Sequence, residues 1–499
     1  MASSNRVNLS VIFKVAGILL VIEGFFMLSC LGFSFWDDPY SYSEFRLFNP
    51  RQDFFPLFVS GLGTATLGML LWYTNRSPLK NAIGKREGYL LISISWLIIS
   101  FFGTLPYLLS GVADNFTDAF FEAMSGFTTT GATVFNNVEI IPKGLLFWRA
   151  ITQWLGGMTI IFFSLAVLPF LGIGGGLLFI SESPGFSPEK LHPRIIETLK
   201  RLWLIYLSFT LILTFLLILG GMTLFDALCH AFSTVSTGGF STKNESITVF
   251  PEFIRYVIAV FMLMAGIGST VQYFVFTGQW RKAFLNEEVR YYLSFILLSI
   301  IVCTVALSFL VHDTFGPVFG ESVFQVISII STTGFVTADY LQWPSFLWMF
   351  FFLLMFTGAC AGSAGGGVKM VRILLLLKNS THELKRLVHP QAIIPVRLNG
   401  RYVGEESIFN VLAFFLIYII VFAGGSLVMS LIGLEFYTAI GTTAACIGNI
   451  GPGLGSVGPM HSYAAIPDAG KWTLSFLMLI GRLEFLTVFI LFSRTFWKK

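Results

Sequence analysis

The stretches Ser125-Gly-Phe-Thr-Thr-Thr-Gly131, Ser233-Thr-Val-Ser-Thr-Gly-Gly239, Ser328-Ile-Ile-Ser-Thr-Thr-Gly334 and Ala445-Cys-Ile-Gly-Asn-Ile-Gly451 line up on their last glycine and set the organisation of the whole chain. Three of them carry serine six residues before that glycine. Thirteen residues before it stand Asp118, Asp226 and Glu321, with Thr438 in the fourth copy, and each opens an apolar run of helical length. An acid or a threonine at a helix start satisfies orphan backbone N–H groups and suits the positive end of the dipole. Asp118, Asp226 and Glu321 are therefore expected to cap short helices. One such stretch alone would be an ordinary turn or a close helix contact. Four at one spacing, all between long apolar segments, argue for an internal repeat.

The surrounding composition is that of a membrane protein. Of 499 residues, 55% are hydrophobic and 12% charged, about half the charge of an ordinary soluble domain, and the mean hydropathy is +0.78. Runs over residues 90–109, 202–219, 292–310 and 411–432 approach or exceed the roughly 20 apolar residues that span a bilayer. The run over 11–31 is too long for a signal-peptide core and no small-residue cleavage site follows it, so it reads as a retained helix. The five cysteines, Cys30, Cys229, Cys303, Cys360 and Cys446, are scattered without metal-ligand spacing and read as small core residues. A net charge of +4 without a basic tract gives no sign of nucleic-acid binding.

Charge placement predicts orientation. Arg76, Lys80, Lys85 and Arg86 lie in one loop, whereas the loop before it holds Asp37, Asp38, Glu44 and Asp53 beside two arginines. Later basic loops hold Lys190, Arg194, Lys200 and Arg201, then Arg281, Lys282 and Arg290, then Lys378, Lys385, Arg386, Arg397 and Arg401, and finally Arg494, Lys498 and Lys499. By the positive-inside rule these basic loops and both termini face the cytoplasm. Between them there is room, four times, for a helix out, a short Gly-Thr stretch and a helix back. The expected fold is an all-α integral membrane protein of about ten spans: an N-terminal two-helix extension over 1–84, then helix–re-entrant loop–helix repeats over 85–198, 199–286, 287–400 and 401–499.

Each short helix then points its carboxyl end, with its partial negative charge, into the membrane. Beyond it the chain must turn sharply where exposed backbone is tolerated only beside protein or water, and glycine permits such a turn. Four loops around one axis aim the carbonyls of Thr129, Thr130, Thr237, Gly238, Thr332, Thr333, Asn449 and Ile450 at a dehydrated cation.

On these four motifs the chain resembles the Trk/Ktr/HKT superfamily of potassium transport proteins over its whole length, including two N-terminal helices near residues 11–31 and 55–72 that the smaller Ktr-type relatives lack. The resemblance implies a pseudo-fourfold pore with one filter glycine per repeat, here Gly131, Gly239, Gly334 and Gly451. It implies K+ as the bound and transported ion, with no organic cofactor in this chain. It also implies a homodimer in the bacterial inner membrane, regulated by a cytoplasmic Trk-type nucleotide-binding subunit responsive to NAD or ATP. The fourth repeat departs from the pattern, with Asn449-Ile450 in place of Thr-Thr or Thr-Gly, but carbonyl ligation uses backbone and should survive.

A gate is the second expectation. Gly358-Ala-Cys-Ala-Gly-Ser-Ala-Gly-Gly-Gly367 puts five glycines, Gly358, Gly362, Gly365, Gly366 and Gly367, in ten residues, and at about 1 kcal/mol each against alanine they break a helix. The stretch reads as a flexible intramembrane loop, against the alternative of tight helix packing, and the resemblance makes it the gate. It lacks the Gly-Lys-[Ser/Thr] of a phosphate loop. Arg482 lies inside the last apolar run, where an unpaired charge is costly. The resemblance places it near the glycine loop, as a barrier to cations, and the other reading is a structural pair with Glu484. Lys369, which follows the loop, ranks below it. No nucleophile–base pair or metal motif of an enzyme is present. A K+:H+ or K+:Na+ symporter using the same filter remains open.

Overall fold

Residues 9–35, 53–75, 85–166, 191–310, 315–392 and 394–497 are described by the computed structural model. Asp37, Asp38, Glu44, Arg76, Lys80, Lys190, Lys498 and Lys499, which entered the orientation argument, lie outside the described residues. The first two apolar runs form helices Leu9–Ser29 and Phe54–Thr74. They lie against each other antiparallel with backbones almost touching. A Cβ on Gly17 would meet Gly68 O at 2.7 Å, and one on Gly24 would meet Gly61 O at 2.6 Å. Without a hydrophobic force between helices in lipid, such small-residue contacts supply the packing that holds the pair together.

Four units follow. The first runs Lys85–Gly103, the short Phe116–Phe127, then Lys143–Ala166. In the second, Leu191–Leu219 and the short Leu224–Val235 are followed by Glu252–Ala265, bent by 110° against Ser269–Phe276. The third has Glu287–Leu310, Phe315–Ile330 and Ser345–Met355, after which the chain leaves the helix and resumes as Met370–Val388. The fourth has Glu405–Leu431, the short Phe436–Gly448 and Asp468–Leu483, bent by 107° against the segment that follows. Among the described residues six helices are long and apolar enough to cross a membrane, and eight spans result if each bent pair is one. The expected ten is reached only by adding Lys143–Ala166, which carries Arg149, Thr152 and Gln153, and the 11-residue Ser345–Met355.

The capping residues differ from expectation. The helix Phe116–Phe127 is capped by Asn115, whose side chain accepts from the Asp118 N–H at 2.8 Å. Thr223 does the same for the Asp226 N–H at 3.1 Å. Asp118 and Asp226 are the third residues of their helices, in the reciprocal position of a capping box, and Asp118 also pairs with Lys471 at 2.6 Å. Glu321 is not a cap, because its helix begins at Phe315, more than a turn earlier. In the fourth copy Thr438 is likewise the third residue, behind Glu435.

Two-residue strands Arg397–Leu398 and Arg401–Tyr402 pair across an Asn399-Gly400 turn, with positive φ at both turn residues. Asn399 accepts from the Glu287 N–H at 2.7 Å, tying this hairpin to the start of the third unit. All five cysteines are buried, and His230 is packed with its ring nitrogens on Asp226 O and Ser241 Oγ.

Gly24→Val should destabilise the purified protein by about 1–3 kcal/mol through overpacking, read as a lower thermal midpoint in detergent. Gly63→Val, where a Cβ meets nothing within 4 Å, should leave the midpoint unchanged.

Candidate functional site

The four glycine stretches adopt one conformation. Their helices end at Phe127, Val235, Ile330 and Gly448. The residues two before each glycine, Thr129, Thr237, Thr332 and Asn449, all have positive φ, at 52°, 55°, 59° and 51°. The glycines Gly131, Gly239, Gly334 and Gly451 follow at 81°, 80°, 80° and 96°. A non-glycine residue in this region costs about 1–2 kcal/mol. Each turn is closed by the same pair of backbone bonds to the end of its helix. In the first repeat Thr129 N donates to Gly126 O at 2.9 Å and Thr130 N to Ser125 O at 2.8 Å. In the fourth, Asn449 N donates to Cys446 O at 3.3 Å and Ile450 N to Ala445 O at 2.9 Å. Tying the helix end this way leaves the next carbonyls free to point elsewhere.

Where they lie is given by what a side chain on each glycine would hit. A Cβ on Gly131 would meet Gly238 O, one on Gly239 would meet Thr333 O, one on Gly334 would meet Ile450 O, and one on Gly451 would meet Thr130 O. The order runs first repeat to second, second to third, third to fourth and fourth back to first. The loops thus close into a ring, each glycine against the carbonyl of the next repeat. The carboxyl ends of four helices converge behind it and favour positive charge.

One side of the ring opens into a basin of about 110 Å³, lined by residues that follow the glycines, including Ala132, Phe240, Val336, Pro452 and Tyr463. Tyr463 donates its hydroxyl to Gly451 O at 2.6 Å. Behind the basin, Arg149 and Glu122 form a buried ion pair at 2.7 Å. Glu122 also accepts from Val134 N at 3.0 Å, and Arg149 donates to Ser241 O at 3.3 Å, so one pair fixes the exits of two loops. Gln153 accepts from Phe240 N at 3.1 Å and donates to Gly238 O at 2.7 Å. Neither pair nor glutamine stood out in the sequence, since a polar residue on an apolar helix shows no partner until the repeats are folded together. Asn449 does more than present its carbonyl: its amide donates to Thr130 Oγ1 at 2.9 Å and Met478 O at 3.0 Å.

On the other side lies the glycine-rich loop between Met355 and Met370. Its ends are held by a short pairing of Thr357 with Val368. Gly366 N donates to Thr332 Oγ1 at 2.7 Å, and a Cβ on Gly366 would lie 2.9 Å from that of Asn449. Gly365 packs beneath Ser331 O, 2.9 Å from where its Cβ would be. Gly358 has Val368 O at 3.0 Å from the same point, and Gly362 and Gly367 have φ of 73° and 66°. The loop therefore abuts the third and fourth turns of the ring directly. Glu288, on the first helix of the third repeat and likewise unremarked in the sequence, accepts from Ala361 N at 2.6 Å and Val371 N at 3.2 Å with one oxygen.

Arg482 and Lys369 meet at this loop. Arg482 donates Nη1 to Ala364 O at 2.5 Å, and Lys369 Nζ bonds Gly365 O. With Ser363, Gly365, Phe414 and Glu484 they line a cavity of about 50 Å³. Arg482 does not pair with Glu484, which is taken by Arg372 at 2.6 Å. Its Nε and Nη2 are buried without a hydrogen-bond partner among the described residues. A cluster of His, Cys, Asp and Glu able to hold a metal ion is absent among the described residues.

The model of the cation transport protein family TrkH matches residues 57–499. The Trk system potassium uptake protein TrkH of Salmonella typhimurium is 39% identical over 438 residues, covering 87% of this chain and 90% of that protein. The Trk system potassium uptake protein TrkG of Escherichia coli is 36% identical over 461 residues, covering 91% and 93%. The crystal structure of the potassium transporter TrkH from Vibrio parahaemolyticus superposes with a TM-score of 0.87 at 34% identity, covering 98% of this chain and all of that one. With its all-helical membrane fold and its four-repeat ring, the chain belongs to the TrkH family of cation transport proteins and is a transporter rather than an enzyme.

Proposed function

We propose that this chain takes up potassium through a pore whose selectivity filter is the ring of Thr129–Gly131, Thr237–Gly239, Thr332–Gly334 and Asn449–Gly451. The observation that carries the reading is the cyclic contact of each glycine with the next repeat's carbonyl. Oxygens so arranged replace the hydration shell of a weakly hydrated monovalent cation without a charged side chain to trap it. The names of the relatives, which are potassium uptake proteins, supply the ion.

The glycine-rich loop with Gly358, Gly362, Gly365, Gly366, Gly367, Lys369 and Arg482 is the gate in this reading. Two cations against the inner mouth raise the electrostatic barrier to a third, and the loop obstructs the path physically. Opening has to release Gly366 from Thr332 and draw Arg482 off Ala364. The helix Met370–Val388, which continues the loop, ends in exposed Leu384, Leu387 and Val388 beside Lys385 and Arg386. A cytoplasmic nucleotide-binding subunit docking there would pull on the loop. We place the protein, as a homodimer, in the bacterial inner membrane with both termini cytoplasmic.

Coupled transport with protons has a foothold in Glu23. It is buried on Leu9–Ser29 with neither carboxylate oxygen hydrogen-bonded among the described residues. If K+ simply conducts, flux into liposomes follows the K+ gradient alone and is indifferent to an imposed pH difference. A proton gradient that drives K+ uphill, abolished by Glu23→Gln, would establish symport instead.

Gly334→Ser forces a side chain toward Ile450 O and should reduce the preference for K+ and Rb+ over Na+ and Li+ by about tenfold, the equivalent of one lost buried polar contact, in the same flux measurement. An unchanged preference would sink the four-loop filter. Arg482→Ala should raise K+ flux severalfold in protein without a cytoplasmic partner while leaving the ion preference intact; flux no greater than that of the unmodified protein would remove Arg482 from the gate.

A further inference from the structure

The four turns of the ring are alike in backbone but not in what stiffens them from behind. In the first, Thr128 and Thr130 share a hydroxyl–hydroxyl hydrogen bond of 2.8 Å. In the third, Ser331 and Thr333 do the same at 2.8 Å. These are the positions three and one before the ring glycine, so each loop carries its own strut. The second loop has Ser236 and Gly238 there and cannot form it. Ser236 turns its hydroxyl back onto Phe232 O at 2.8 Å.

The space left by the missing side chain of Gly238 is filled from another repeat. A Cβ at Gly238 would collide with the Gln153 carboxamide. That carboxamide is fully buried, donates to Gly238 O at 2.7 Å and accepts from Phe240 N at 3.1 Å. It thus grips the second loop on both sides of Gly239. Of the four carbonyls that face the neighbouring glycine, Thr130 O, Gly238 O, Thr333 O and Ile450 O, that of Gly238 alone receives a side-chain donor among the described residues. A carbonyl oxygen has two lone pairs. One held from behind leaves the other for the axis and prevents the oxygen from moving inward.

We propose that Gln153 is a positioning residue that sets ion preference: as the strut of the second loop, supplied by the first repeat, it holds the Gly238 carbonyl at the radius suited to K+. A carbonyl released from this tether closes onto a smaller ion, so Na+ gains more than K+ from its loss. The inference rests on the four-loop filter reading and adds to it a residue outside the glycine motifs.

The test measures K+, Rb+ and Na+ flux in liposomes for Gln153→Met, which keeps length without polarity, and Gln153→Glu, which keeps the acceptor for Phe240 N and removes the donor. Thr333→Val, which deletes the strut of the third loop, and Gly334→Ser run beside them. The selectivity ratio is read rather than total flux, so partial loss of folded protein does not imitate the effect. Both Gln153 variants should lower the K+ to Na+ ratio by about tenfold, the scale of one buried hydrogen bond to a carbonyl, and Thr333→Val should do likewise. If both Gln153 variants keep the original ratio while Gly334→Ser loses it, Gln153 only fills space and the inference is overturned although the filter stands. If Gly334→Ser also keeps the ratio, the pore reading beneath it fails.

Discussion

A carbonyl oxygen without a partner inside an apolar layer costs several kcal/mol, and everything in this molecule follows from placing several of them deliberately at one spot. Helices hide their own polar groups, so a chain of helices has no free oxygen to offer an ion in mid-membrane. Four short helices that stop there and turn with positive φ expose one or two carbonyls each, and the ring gives every one a neighbouring glycine with no side chain to cover it. The long spans around it are the apolar wall that keeps this arrangement out of contact with lipid. The backbone strain of Thr129, Thr237, Thr332 and Asn449 is held by the bonds from each loop to its own helix end.

Buried polar residues from several elements brace the ring. The Arg149–Glu122 pair anchors the exits of the first two loops, Tyr463 holds Gly451 O, and Asn449 reaches across to Thr130 and the last helix. The glycine-rich loop joins the same network through Thr332. Loop and ring are thus in direct hydrogen-bonded contact.

Much of this was legible in the sequence because it repeats. One glycine at a constant distance from an acid or a threonine is visible without any partner, and the spans are visible from hydropathy. The break at Gly358–Gly367 was legible too, from glycine density alone. The capping residues were displaced because Asn115 and Thr223 stand three residues before the conspicuous acids, the spacing of a capping box that the offset count passed over. Glu321 looked equivalent but sits inside a helix that starts earlier. Its offset matched while its environment did not. The Arg482–Glu484 proximity was real in sequence only, since Glu484 leaves the helix with φ 58° and meets Arg372 instead. Gln153, Arg149 and Glu288 were illegible because each has partners 73 to 92 residues away, and Glu122 because its ion-pair partner Arg149 stands on the next helix. The small hairpin went unread although Asn399-Gly400 is a favoured pair for a tight turn.

Writing the ring into one polypeptide has a genetic consequence. In an assembly of identical subunits, a single codon change appears in every quarter of the ring at once. Here Gly131, Gly239, Gly334 and Gly451 are separate codons, and so are the residues behind them. One quarter can change while three stay as they are, and at the position before the ring glycine Gly238 and Ile450 stand where Thr130 and Thr333 stand in the other two. A substitution therefore alters the ring one quarter at a time.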